Sequence, residues 1–164
     1  MMLVTAFGPF ANVNLNPSEV LARSLFGYEA IILPVTFSAV DEFLDNLPPT
    51  DRLLMLGVGR GDSRIRIERC ATNRIGNRPD IEGRELPREK SETLKGSLLA
   101  DIQVCDCWEE SNDAGGYLCN YVYYEATKKH PRVSTGFVHV PPFSKIPFPV
   151  QAVRLQRLVN LISQ

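Results

Sequence analysis

The sequence predicts an α/β fold, with a mostly parallel sheet covered by helices on both faces. Three observations carry this expectation. Short apolar runs alternate with amphipathic stretches, several runs are continuously apolar, and glycine or proline punctuates their ends. A continuous apolar run suits a strand covered on both faces, and strands joined through helices pair in parallel by right-handed crossovers.

The first strand is the run MLVTAF, closed by Gly8 and Pro9. Asn16, Pro17 and Glu19 then supply a cap, a proline at the first helical position and a carboxylate at the third, so a helix should run to about Phe26 and stop at Gly27. Ala30 to Pro34 reads as the second strand. Ser38 to Leu47 reads as the second helix, with Val40, Phe43, Leu44 and Leu47 on one stripe and Pro48 and Pro49 as the stop. Leu53 to Leu56 is a third, fully covered strand, and Arg64 to Glu68 alternates in the period-two pattern of a strand with one buried face. Asn73 to about Arg88 reads as a surface excursion, residues 89–100 as an ambiguous stretch with room for a short helix, and Ile102 to Cys105 as a strand. After an acidic stretch and the Asp113 to Gly116 turn, a helix is expected from about Tyr117 to Lys129, with Lys128, Lys129 and His130 at its electronegative end. Gly136 to Val140 is the last strand. A closing helix spans Val150 to Ile162, with Val153, Leu155, Leu158, Val159 and Ile162 apolar.

At 164 residues, with 44% hydrophobic and 23% charged, residues 1–164 are expected to form one domain around one core. A net charge of −1 and a pI near 6.1 provide no broad field to attract nucleic acid or an anionic membrane, so neither is an expected partner. No apolar run approaches the roughly 20 residues of a membrane span, and the start MMLVTAFGPF lacks the basic region of a signal peptide. The expected location is the cytoplasm, with Cys70, Cys105, Cys107 and Cys119 as free thiols. Cys105 and Cys107 have no second pair and no nearby histidine, so no metal is expected. The glycine-rich loop from Gly57 to Gly61 leads into a strand rather than a helix, which makes it a turn and not a phosphate cradle.

Ligands of such sheets bind beyond the carboxyl ends of the strands. The loops to inspect are Gly8 to Pro17, Gly57 to Asp62, Asp113 to Cys119 and His139 to Pro142, which share one rim if the sheet is parallel. Cys119 falls in the first turn of its helix, where free N–H groups and the helix dipole favour a thiolate, so it is the candidate nucleophile; a buried structural cysteine is the alternative. The chain has two histidines. His130 lies eleven residues further along the same helix, roughly 16 Å away at about 1.5 Å per residue, which leaves His139 as the candidate base. A core histidine is its alternative. Glu68 is a candidate for the group that orients the base, and an exposed strand face beside Arg64 and Arg66 is the alternative there.

The segments VTAFGPF with Asn16 to Ser18, ILPVTF, GVGRG followed by IERCATN, AGGYLCN and GFVHVPP resemble, in order, the motifs of pyroglutamyl peptidase I, the pyrrolidone-carboxylate peptidases. The resemblance spans Met1 to about Pro142. It implies a three-layer α/β/α sandwich with a mostly parallel twisted sheet, a Glu68, Cys119 and His139 triad, and cofactor-free removal of an N-terminal pyroglutamyl residue through a thioester. The implied partner is a small peptide with a blocked N-terminus, and a homo-oligomer is compatible with the family. Arg74 and the Cys119 N–H are implied to support the oxyanion. Phe7, Phe10, Asn16, Ile75, Tyr117 and Leu118 are implied to surround the substrate. Val58 stands among them where the family usually has Gln, Gly116 stands where it has Thr, and the chain is short on both sides of Cys119. These departures keep two alternatives in view: a relative that binds small amides or a protein partner without catalysis, and a cysteine hydrolase for another N-terminal residue.

Overall fold

Twelve elements follow one another in the computed structural model, which describes residues 1–59 and 61–164, and the side chains of all of these except residues 90 and 91. They are β1 (Met2–Phe7), α1 (Pro17–Ser24), β2 (Ala30–Leu33), α2 (Phe37–Asp45), β3 (Arg52–Val58), β4 (Ile65–Glu68), β5 (Cys70–Ile75), β6 (Arg88–Lys95), β7 (Trp108–Ser111), α3 (Leu118–Lys129), β8 (Ser134–Val140) and α4 (Phe148–Ile162). Six strands form one sheet in the order β2-β1-β3-β8-β4-β7, while β5 and β6 form a separate antiparallel pair. Arg60 of the glycine-rich loop lies outside the described residues.

The period of two divides the strands' side chains between two apolar layers. Leu53 and Met55 of β3 join Phe137 of β8 in the layer covered by α2, α3 and the β5–β6 pair. Leu54 and Leu56 face the opposite layer with Ile65, Ile67, Val138 and Val140, under α1 and α4. Helices on both faces of the sheet make the expected α/β/α sandwich. Local chemistry sets the helix starts: the Asn16 side chain accepts from Ser18 N at 3.0 Å ahead of Pro17, and the Thr36 hydroxyl accepts from Ala39 N at 3.1 Å, which begins α2 at Phe37 rather than Ser38.

Three expectations need correction. The irregular excursion is confined to residues 76–87, and its flanks form an antiparallel hairpin in place of the short helix considered for residues 89–100, with Cys70 opposite Lys95 and Ile75 opposite Arg88. The hairpin's period was hidden because β6 is largely charged, and it is held by Arg88, whose guanidinium meets the Glu125 carboxylate at 2.6 Å and covers the Tyr121 ring at 5.1 Å. Ile102 to Cys105 is not a strand. Cys105 and Trp108 close a tight turn with two backbone bonds of 3.3 Å, and the strand follows in the acidic stretch because Trp108, 2% exposed, anchors it in the core. Val153 lies on the solvent side of α4, 72% exposed, while Leu155, Leu158, Val159 and Ile162 are buried.

The sheet is parallel throughout except at one junction, where β4 runs antiparallel to β8. This register builds the site. His139 of β8 lies between Gly57 of β3 and Arg66 of β4, and Glu68 stands opposite Phe137, one step diagonally from His139. A Cβ on Gly57 would lie 2.5 Å from Cys119 Sγ and 2.8 Å from the Phe137 ring, so only a glycine leaves the sulfur its place. Asn120 ties the start of α3 to β5: its Oδ1 accepts from Thr72 N at 2.9 Å, and its Nδ2 donates to Thr72 O at 2.7 Å and Arg74 O at 2.9 Å.

Gly57→Ala is expected to fold but to lose at least about 100-fold in kcat/KM of any reaction at Cys119, because a shift of about 1 Å in a reacting group costs that much; circular dichroism and steady-state kinetics check both halves. Asn120→Ala removes the partner of three part-buried backbone groups of β5 and should lower stability by about 1–3 kcal/mol, read as a lower urea midpoint. An unchanged midpoint would contradict the tether.

Candidate active site

Cys119 is the second residue of α3, and its N-cap, Tyr117, makes no side-chain cap bond, so the cap leaves the first-turn N–H groups unclaimed. Cys119 and His139 line the same cavity of about 240 Å³, and the thiol is close enough to act on the imidazole. His139 Nδ1 meets Glu68 Oε1 at 2.7 Å, with Glu68 fully buried and His139 5% exposed. The order sulfur, imidazole, carboxylate is that of a nucleophile activated by an oriented base. His130 lies at the far end of α3, its Nε2 2.8 Å from Leu44 O.

The electrostatics follow from this packing. Burial by itself would push the Glu68 carboxyl up, but the hydrogen bond of His139, the Ser111 hydroxyl, the charge of His139 and Arg66 hold it below the ordinary carboxylate range. Burial by itself would push the His139 imidazole down. The charge and hydrogen bond of Cys119, with Glu68 behind them, overcome that and raise it to about 9. Phe137 supports the ring at 4.9 Å between centroids and is itself stacked on Tyr123.

Arg66 is a participant that sequence reasoning placed only on an exposed-face alternative. Its Nε donates to Glu68 Oε1 at 2.7 Å, its Nη1 to Asp62 Oδ1 at 2.7 Å, and its Nη2 lies 3.4 Å from His139 Nδ1. The signal was available: residues two apart on a strand share a face, and Arg66 and Glu68 are two apart.

Phe7, Phe10, Asn16, Val58, Tyr117 and Leu118 all line the cavity. Asn16 is largely committed, its Oδ1 accepting from Ser18 and its Nδ2 donating to Gly8 O at 3.0 Å, which leaves at most one amide hydrogen for a ligand. Ile75 is not on the cavity; it is 4% exposed and packed in the core. Arg74 is not on it either, since its guanidinium is paired with Asp113 at 3.1 Å. The arginine that does line the cavity is Arg78, whose guanidinium carbon lies 4.4 Å from the Tyr117 ring centre and 5.6 Å from that of Phe10. It stands on the segment between β5 and β6, which Asp80 pins by accepting from Phe37 N at 3.0 Å, and which Ile81 N joins to Val35 O at 3.2 Å. The stretch read as a surface excursion is thus the cover of the cavity.

Ligand pockets of drug size run to roughly 300–1,000 Å³. A cavity of about 240 Å³ therefore suits one small ring. Its walls are mainly apolar, with Asn16, Arg78 and His139 among the lining groups, and the arrangement can carry out acyl transfer from a small, uncharged acyl group to a thiolate. No helix among the described residues is long and apolar enough to cross a membrane.

The chain matches the pyroglutamyl peptidase family model over residues 1–98. It is 36% identical to the pyrrolidone-carboxylate peptidase of Pyrococcus furiosus, over 85% of this chain and 80% of that one, and 31% identical to that of Halalkalibacterium halodurans, over 86% and 83%. Its fold superposes on the pyrrolidone carboxyl peptidase of Thermus thermophilus with a TM-score of 0.78 at 29% identity, covering 95% and 97% of the two chains. The superposition on a variant of the Pyrococcus furiosus protein gives 0.76 at 28% identity, covering 98% and 97%. The chain belongs to the pyroglutamyl peptidase family of cysteine peptidases.

Proposed function

We propose that this chain hydrolyses the amide that follows an N-terminal pyroglutamyl residue, with Cys119 as nucleophile, His139 as base and then acid, and Glu68 as the group that orients the imidazole. The observation that carries this reading is the buried 2.7 Å bond from His139 to an ionised Glu68, with Cys119 on the same imidazole inside a one-ring cavity. The substrate is a small peptide whose N-terminus is blocked by the lactam. Phe7, Phe10, Leu118 and Val58 offer the ring apolar walls, and the spare amide hydrogen of Asn16 offers it a polar contact.

In the reaction, His139 holds the proton released by Cys119, and the thiolate attacks the pyroglutamyl carbonyl carbon. The oxyanion that forms lies at the start of α3, where the N–H groups of the first turn and the positive end of the helix dipole stabilise it. Arg78, rather than Arg74, is the cation placed to assist. Collapse of the adduct breaks the carbon–nitrogen bond, and the His139 imidazolium gives its proton to the departing amine. Water, deprotonated by the neutral imidazole, then hydrolyses the thioester and restores the thiol. A cytoplasmic setting suits the free state of all four cysteines, and the shared central sheet suits residues 1–164 acting as one unit.

Val58 supports a second reading, hydrolysis after a different small N-terminal residue, because it places an aliphatic wall where the family usually has an amide. A panel of fluorogenic aminoacyl amides separates the two. Turnover of the pyroglutamyl amide, reduced at least about 1,000-fold in Cys119→Ala, is the expected result; turnover of another amide alone supports the second reading, and turnover of none by the native chain rejects both. Raising the His139 pKa favours its protonated form, and that proton is the one given to the leaving amine. The kcat/KM profile should therefore hold through neutral pH and fall as pH rises through about 9, whereas a fall centred near 7 would contradict the assignment.

A further inference from the structure

We propose that Arg66, held in place by Asp62, is a positioning residue that governs proton transfer at His139 by competing with the imidazole for a single oxygen of Glu68. Both His139 Nδ1 and Arg66 Nε meet Oε1 at 2.7 Å, while Oε2 of the same buried carboxylate has no hydrogen-bond partner among the described residues. One oxygen thus serves two donors. The guanidinium also brings Nη2 to 3.4 Å from Nδ1, so a protonated imidazole has a cation and a second donor beside it. That cation opposes the imidazolium and favours the neutral ring, whose Nδ1–H stays on Glu68 Oε1.

Arg66 cannot easily swing away. Its third contact, Nη1 to Asp62 Oδ1 at 2.7 Å, anchors the far side of the fork, and only about a quarter of its side chain is exposed. The backbone register places Arg66 directly opposite His139, so the competition is built into the sheet. Among the described residues, the charged or titratable groups around this cluster are Cys119 and Tyr123 from α3, Glu68 from β4, Cys70 from β5, Asp62 from the preceding loop and Glu109 from β7, whose charge acts on both Arg66 and Asp62. β3 contributes the uncharged Gly57.

Arg66 therefore offsets part of the pull of Glu68 and Cys119 on the imidazolium, which leaves His139 able to release its proton to the leaving amine. This role rests on the triad reading above, and the test keeps the two apart by measuring the histidine directly. In Arg66→Gln, the alkaline limb of kcat/KM should move up by about one pH unit, and the His139 imidazole resonance followed by NMR titration should move with it. Arg66→Lys, which keeps the charge, should return the limb to within about 0.3 units of the native value. Arg66→Ser carries the same measurement if the glutamine variant does not fold. A purely structural arginine would lower stability or kcat and leave the limb and the titration unmoved, which would overturn the proposal. If the native chain turned over no substrate, the triad reading would fail, and the NMR titration of native and variant chains would still decide whether Arg66 controls the imidazole.

Discussion

A carboxylate with no exposure to water stays ionised only when its surroundings supply more than burial removes, and Glu68 is such a group. His139 and Arg66 supply part of that compensation through one oxygen, and Ser111 adds to it. The arrangement exists because β4 pairs antiparallel with β8. In a wholly parallel sheet the carboxyl end of β4 would stand at the same rim as that of β8; reversed, the strand brings Arg66 alongside His139 and Glu68 one diagonal step below it. The polar cluster thereby sits beneath the rim, with Phe137 and Tyr123 packed around it, and the imidazole alone reaches from it to the cavity.

The strand ends and helix starts were legible wherever local chemistry decides them. Asn16 before Pro17 announced α1, and the continuous run of Leu53 to Leu56 announced a strand covered on both faces. The hairpin was not legible, because a strand rich in Lys, Glu and Ser carries no apolar period, and its pairing depends on Arg88 meeting aromatic rings and Glu125 far along the chain. Ile102 to Cys105 misled in the opposite sense: it has strand-like residues, but the buried Trp108 indole, bonded to Gln103 O at 2.8 Å, takes the core position and turns the preceding residues outward.

For the site, the helix-start position of Cys119 and the strand-end position of His139 were readable from spacing, and both line the cavity. Glu68 was readable as a carboxylate on a strand, but its burial was not, since that depends on which neighbour β4 pairs with. Arginine assignment failed for a related reason. Arg74 and Arg78 are four residues apart in a stretch without period, and only the folding of the cover, fixed by Asp80 to the start of α2, turns one toward Asp113 and the other onto Tyr117 and Phe10.

The sulfur and the N–H groups of the helix start belong to the same turn, and Asn120 clamps that turn to β5. Attacker and charge acceptor therefore share one frame of reference, so thermal displacement of α3 against the sheet carries both together and preserves the angle between them. What such a displacement alters is their distance to the imidazole, which rides on β8. The tolerance of the whole apparatus is thus set at a single seam, between the helix and the central strand, where a glycine gives the sulfur its only seat.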